Sequence, residues 1–394
     1  MNPFEQRIDR RNSGSVKWDD LQAVFGSEDV LPLWVADMDF QAPSAVIDAL
    51  RRRVEQGVFG YTMQPPEYFQ AAIGWMKRRH HWEIEQDWIT FCPGVVPALS
   101  LLVQACTDPG DRVIIQPPVY PPFYRVVEDN GRELLLNPLC EADGDYRMDL
   151  DSLREQMDER VKMLILCSPH NPIGRVWSRS ELEELAVFAA EHSLIVVADE
   201  IHADLVFQQG AHTPYASVSE TARDHSIICT APSKTFNLAG LSASNIIIPN
   251  AELRSKFKKE IARMQLGTIS LFGMEGAKAA YEHGDEWLDQ CLAYIRKNME
   301  YVRDYLTEHL PRVRTKLPDA TYLMWLDFRS CGMDHASLNQ FLIQEAGLGL
   351  NSGAAFGAAG EGFMRINLAC HRSLVEEAMN RLSQAFGKLK PAYS

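Results

Sequence analysis

The strand–helix rhythm between residues 87 and 248 constrains this chain more than any other feature. "DWITFC" precedes "GVVPALSLLVQAC", whose apolar spacing suits a helix, and "VKMLILC" precedes "SRSELEELAVFAAEH", an amphipathic helical pattern. "DRVIIQ", "RELLLNPL", "LIVVADE", "SIICTA" and "SASNIII" complete the set of short β-rich runs. Alternation of this kind predicts an α/β fold with a mostly parallel sheet covered by helices on both faces. Ser178 and Glu181 stand at capping-box spacing and mark one helix start.

After about residue 270 the rhythm changes. A long helical stretch, "DEWLDQCLAYIRKNMEYVRDYLTEHL", leads to "TYLMWLDF", a helix near "ASLNQFLIQEA", then "GFMRINLAC" and a final helix. This reads as a separate, smaller α+β domain. With 394 residues the chain is long enough for two domains. The expected division is residues 46–275 for the large domain and 276–394 for the small one. An N-terminal segment, 1–45, carrying "LPLWVADMDF", crosses between the lobes and joins the small domain.

A formal net charge of −14 argues against a general nucleic-acid or anionic-membrane surface. The N-terminus has no apolar signal core, and no apolar run approaches the roughly 20 residues that span a bilayer. Eight cysteines are scattered without a C-x-x-C pair, and most lie in apolar runs. Buried reduced thiols in a cytoplasmic protein, with no metal site, are the expectation.

In an open α/β sheet, ligands bind beyond the carboxyl ends of the strands. Five predicted strands there run into "CPGVVPAL", "PPVYPPFY", "SPHNPIGR", "DEIH" and "APSKTFNLAG". Turn chemistry accounts for the prolines and glycines. It does not account for Asp199 at the end of an apolar run, or for Lys234 in a loop of small residues. Taken singly, each polar residue has a plain structural reading. Asp199 could cap a turn, Asn171 could form an Asx turn, Tyr120 could be a packing aromatic, Gly94 could be a turn glycine, and Lys234 could be solvated. Their joint placement at one sheet edge points to a common chemistry. A lysine amine condenses with the aldehyde of pyridoxal phosphate. A carboxylate keeps the pyridine nitrogen protonated. An Asn can bond the ring's phenolate oxygen, an aromatic can stack on the ring, and a Gly before a helix start offers free N–H groups to the phosphate.

"NP", "ADEIH" and "SKTFNLAG", in that order, resemble the class I/II aminotransferase superfamily of fold-type I pyridoxal-phosphate enzymes. "LPLWVADMDF", "FGYT", "QPPVYPPFY", "CSPHNPIGRVWS" and "MRINLAC" resemble the MalY/PatB group within it, cystathionine β-lyases and related cysteine C–S lyases. The resemblance covers essentially the whole chain. It implies a seven-stranded, mostly parallel sheet in the large domain and a homodimer with active sites at the interface.

The resemblance also implies a set of roles. Lys234 would carry the cofactor and act as acid and base at the substrate α-carbon. Asp199 would face the pyridine nitrogen, Asn171 the phenolate oxygen, with His202 near it where many relatives have a tyrosine. Tyr120 would stack on the ring and, with Asn171 and Ala36, meet the substrate. Gly94, Val95, Val96 and Ser233 would hold the phosphate, Tyr61 would reach the phosphate of the neighbouring subunit, and Arg365 would bind the substrate α-carboxylate. Many superfamily members place an arginine eight positions after the lysine; here that residue is Ser242. Without the resemblance, Arg365 reads as a surface arginine on an edge strand, and "RRHHW" at residues 78–82 as the end of a solvated helix.

Three functions follow from the resemblance. The expected one is a C–S β-lyase that cleaves cystathionine or another L-cysteine conjugate to thiol, pyruvate and ammonia. A class I/II aminotransferase would use the same residues. A non-catalytic modulator of transcription acting by protein binding is the third, and no surface motif marks it.

Overall fold

The computed structural model describes residues 3–267 and 270–389. The seven apolar runs form one seven-stranded sheet. From edge to edge it contains Ile89–Cys92, Ser244–Ile247, Ser226–Thr230, Ile195–Asp199, Val161–Cys167, Arg112–Ile115 and Glu133–Leu136. Ser244–Ile247 runs antiparallel to both neighbours, and the other pairings are parallel.

Side-chain alternation divides the core between the two faces. Ile114, Leu164, Leu166, Val196, Ala198 and Ile228 join one apolar cluster. Val113, Ile115, Met163, Ile165, Val197 and Ile227 join the other. Helices Pro66–His80 and Arg179–Glu191 pack on the first face, and helices Val95–Cys106 and Ala251–Arg263 on the second. Both faces are therefore dry, which explains why the strands read as near-continuous apolar runs. Each valine, leucine, isoleucine or methionine among them contributes roughly 1.5–3 kcal/mol on burial. The capping box at Ser178 and Glu181 is present and starts the Arg179–Glu191 helix.

A three-stranded antiparallel sheet forms the core of the smaller domain, in the order Leu323–Asp327, Phe363–Asn367, Asn351–Ser352. Helices Asp285–His309, His335–Gln344 and Arg372–Lys388 accompany it. This arrangement overturns the edge-strand reading of Arg365. Phe363–Asn367 is the central strand, and Arg365 is only 3% exposed. The strand that covers it, Asn351–Ser352, is two residues long and too short to leave a periodic signal.

The N-terminal segment bonds to residues of both sheets' surroundings. Leu31–Pro32 pairs in parallel with Leu348–Gly349. A few residues on, Met38 N donates to Asn237 Oδ1 at 3.0 Å, and Asn237 Nδ2 donates to the carbonyls of Met38 and Phe40. Beneath this strap lies a buried ion cluster. Lys17 is fully buried with Nζ 2.8 Å from Asp39, and Arg10 bridges Asp37 and Asp39. Burial pushes the Asp39 carboxyl up, but Lys17, Trp18 and Arg10 outweigh it and hold the group below its ordinary range.

The reading of residues 78–82 as a solvated helix end needs correction. His80 and Trp82 are buried, and His80 Nε2 lies 2.7 Å from Asp204 Oδ1. Arg79 pairs with Asp285 and Asp289. The helix ends at His81, which is exposed at φ +52°. Among the described residues, no helix is long and apolar enough to cross a membrane, and no group of three or more His, Cys, Asp or Glu side chains could hold a metal ion.

Candidate active site

Parallel strands deliver their following residues to one edge, and there a cavity of about 200 Å³ opens. Gly94, Val95, Val96, Tyr120, Asn171, Asp199, His202, Ser233, Lys234 and Ala36 all line it. Two candidates do not. Arg365 stands behind Asn171, and Tyr61 is fully exposed on the surface of the single chain. A larger cavity of about 750 Å³ lies between residues 203–212 and the long helix, but its arginines 79, 175 and 296 are already engaged in ion pairs. Size does not locate the chemistry here.

Lys234 lies in the single turn Pro232–Thr235, directly after the Ser226–Thr230 strand. Its Nζ donates to the Ala36 carbonyl at 2.7 Å, and Tyr322 Oη donates to the same oxygen at 2.8 Å. Burial, reinforced by the positive charge of Arg365, lowers the amine to about 8, while Asp37 and Asp199 pull the other way. The question of why a lysine sits among small residues is thereby answered. The loop brings an amine into the protein where its free-base form is accessible near neutral pH.

Asp199 ends its strand and is 4% exposed. Its Oδ1 accepts the Ile201 N–H at 3.1 Å, so the capping reading holds as well. Burial raises the carboxyl to about 7, against the lowering pull of that N–H and of Lys234. A buried acid with one hydrogen-bond donor suits a cationic N–H partner. Asn171 does not form an Asx turn; its Oδ1 accepts from Arg365 Nη1 at 3.1 Å. His202 is buried, and desolvation together with Lys234 and Arg365 drives it down to about 3, so it is neutral. Its Nδ1 has no hydrogen-bond partner. Tyr120 is half-buried at the rim, and burial and Asp199 raise its phenol.

At the other end of the cavity, Gly94 precedes the helix Val95–Cys106 with no side-chain cap. The N–H groups of Val95 and Val96 are therefore free for an anion, and Pro97 has none to satisfy. A Cβ on residue 94 would meet Pro97 Cδ at 3.3 Å, which keeps this turn bare. Ser233 and Ser242 line the same end. Among the described lining residues Lys234 is the one cation, so this end binds through N–H and O–H donors.

Arg365 supplies charge from the opposite side. Its Nη2 donates to the Trp34 carbonyl at 2.8 Å, and its guanidinium lies 5.0 Å from the Phe356 ring centroid. Nε is buried without a partner, and among the described residues no carboxylate pairs with the group. Burial lowers it to about 10, which leaves it charged at neutral pH. An unpaired buried guanidinium is costly and fits a carboxylate ligand.

Sequence reasoning missed Tyr322, Asn367, Asp204 and Thr235. Asn367 Nδ2 donates to the carbonyls of Val35 and Asp37, at 2.6 Å each, and pins the strap over the site. No local pattern marks these residues; their partners are distant in sequence.

A strand-end lysine, a buried strand-end acid and a bare helix start on this sheet define a fold-type I pyridoxal-phosphate site. The family model for class I and II aminotransferases matches residues 28–382. Cystathionine beta-lyase PatB of Bacillus subtilis (strain 168) is 47% identical over 383 residues, covering 97% of this chain and 99% of that protein. Protein MalY of Escherichia coli (strain K12) is 33% identical, covering 98% of this chain and 99% of that protein. Cystalysin from Treponema denticola, whose crystal structure contains pyridoxal 5′-phosphate, superposes with a TM-score of 0.96 at 39% identity, covering 99% of this chain and 100% of that one. The chain belongs to the class I and II aminotransferase family and, within it, to the MalY/PatB-like C–S lyase group. Its cofactor is pyridoxal 5′-phosphate. The residues present fit that group: the buried Asp199, the free N–H groups of Val95 and Val96, and the Lys234 amine all line one cavity.

Proposed function

We propose that the protein is a C–S β-lyase that cleaves cystathionine or a related L-cysteine conjugate to a thiol, pyruvate and ammonia. The observation that carries this reading is the 47% identity, over nearly the whole chain, to cystathionine beta-lyase PatB; the buried guanidinium of Arg365 behind Asn171 suits the amino-acid substrate such a reaction needs. It anchors one carboxylate, that of an α-amino acid.

Bound pyridoxal phosphate supplies an electron sink for the pair left at the substrate α-carbon. Asp199 holds the pyridine nitrogen and keeps that sink positively charged. Val95, Val96 and Ser233 would hold the phosphate, Asn171 and His202 would serve the phenolate oxygen, and Tyr120 would stack on the ring. Arg365 fixes the α-carboxylate through its planar fork. The Lys234 amine removes the α-proton, and its lowered proton affinity suits that task. With the α-carboxylate fixed by Arg365 and the α-carbon beside the Lys234 amine, the Cβ–S bond would be held in one orientation, and the sulfur would leave as a thiolate.

The same site is proposed to work in a homodimer. Tyr61 is fully exposed beside exposed Val58, Phe59 and Met63, a segment that a second copy would cover while Tyr61 reached its phosphate. Mixing Tyr61→Phe with Lys234→Ala protein should restore activity well above the mean of the two, because one site of each heterodimer carries neither lesion. Eight unpaired thiols fit a reducing, cytoplasmic setting.

The deciding experiment assays thiol, pyruvate and amino-group transfer to 2-oxoglutarate in parallel, with L-cystathionine and other cysteine thioethers. Thiol and pyruvate should exceed transfer. Transfer exceeding pyruvate release, or no pyruvate from any thioether, would sink the lyase reading in favour of the aminotransferase.

A further inference from the structure

The turn that carries Lys234 is too short to hold itself. Pro232–Thr235 is a single helical turn, and an isolated turn of this length has no stability of its own. Two stakes fix it. On one side Asn237, at φ +58°, bonds the backbone of Met38 and Phe40. On the other side is Thr235, adjacent to the lysine and fully buried, whose hydroxyl donates to Asp204 Oδ2 at 2.6 Å.

Asp204 is a singular acceptor. Its Oδ1 receives Trp75 Nε1 at 2.9 Å and His80 Nε2 at 2.7 Å, both from the Pro66–His80 helix. Its three donors come from two separate elements of the fold, the Pro66–His80 helix and the Lys234 turn, and among the described residues no lysine or arginine pairs with it. A second acid–imidazole pair continues the network. His80 packs edge-on against His212, with ring centroids 5.6 Å apart, and His212 Nε2 lies 3.0 Å from Glu200, the residue after Asp199. The two pairs thus hold the segments that carry the site's amine and its buried acid. Asp204 lies outside the cavity and touches neither cofactor nor substrate, so its reach to the chemistry runs through Thr235.

We propose that Asp204 is a positioning residue that, through the Thr235 hydroxyl, aims the Lys234 amine at the aldehyde of the bound cofactor. The proposal builds on the assignment of Lys234 as the cofactor-bearing lysine, and its test separates the two. Apoprotein is titrated with pyridoxal phosphate, which can join the lysine, and with pyridoxamine phosphate, which has no aldehyde and reports only the phosphate and ring contacts. Thr235→Val removes the hydroxyl at nearly constant shape. It should weaken pyridoxal phosphate about tenfold and leave pyridoxamine phosphate unchanged. Thr235→Ser should restore the wild-type value, and Asp204→Asn, which keeps the volume, should repeat the selective loss if Thr235→Val does not fold. Equal losses for the two ligands, or no loss for either, would overturn the positioning role. If Lys234→Ala showed no preference for pyridoxamine phosphate over the wild type, the lysine assignment itself would fail, independently of Asp204.

Discussion

The two ends of the active-site cavity are built by opposite means. The proposed phosphate end offers the N–H groups at the start of the Val95–Cys106 helix and small hydroxyls, all from one sheet edge. The proposed carboxylate end offers a single guanidinium from another sheet, bonded to Asn171 across 194 residues of sequence. Backbone donors at a helix start exist whatever the side chains, and they share the load. A buried guanidinium concentrates the binding in one group and is costly to desolvate until a carboxylate meets it. The first end should therefore tolerate single substitutions, and the second should not.

Lys234 stands between the ends, and its removal should give the largest effect. Lys234→Ala is expected to lower turnover by about 10⁴-fold, the upper range for a positioned acid–base group. Mass spectrometry after borohydride reduction should find no cofactor attached to the chain. Attachment at another lysine would break the assignment.

Arg365→Ala tests the concentrated end directly. The loss in kcat/KM should be about 10²–10³-fold, equivalent to two charge-assisted hydrogen bonds. Both kcat and KM should suffer, because the anchor also orients the scissile bond. Arg365→Lys should recover only part, since an ammonium cannot reproduce the fork. Full recovery would mean that charge alone matters at this end.

Asp199→Asn should keep the cofactor and lose about 10²-fold in turnover, through a weaker pyridinium contact. It has a second signature in the apoprotein. Burial raises the Asp199 carboxyl to about 7, above its unfolded value, so the folded state retains a proton that the unfolded state has lost. That stabilising contribution is complete below about pH 4 and is lost as pH rises to about 7. Apoprotein melting curves should show this decline, and Asp199→Asn should remove it. A pH-independent difference between the two would contradict a buried titrating acid.

Ser233→Ala addresses the distributed end and should have the smallest effect. With two N–H donors and Ser242 remaining, cofactor affinity should fall about threefold to tenfold. A loss as large as that of Arg365→Ala would end the contrast between the two ends. Cofactor release during gel filtration is sufficient to measure it.

Part of this site was legible in the sequence because polar residues interrupt apolar runs. Asp199 and Lys234 stand out because strands buried on both faces leave little reason for a charge at their ends. Asn171 and Gly94 became legible only together with them, since each alone is ordinary turn chemistry. Arg365 gave no such signal. Its neighbours Met364 and Ile366 suit an edge strand equally well, and only the resemblance singled it out.

The sequence by itself determined the seven strands, the helices Val95–Cys106 and Arg179–Glu191 between them, and the edge at which Lys234, Asp199 and Asn171 gather. Hydrophobic period and the crossover rule for parallel strands decide those locally. Tertiary structure alone decided that Arg365 is buried behind Asn171 and that the Ala36 carbonyl serves both Lys234 and Tyr322. It alone placed His80 against Asp204 and Asp204 against Thr235. Those partners lie tens to hundreds of residues apart. Their pairing follows from packing of separate elements, for which a single sequence carries no periodic trace.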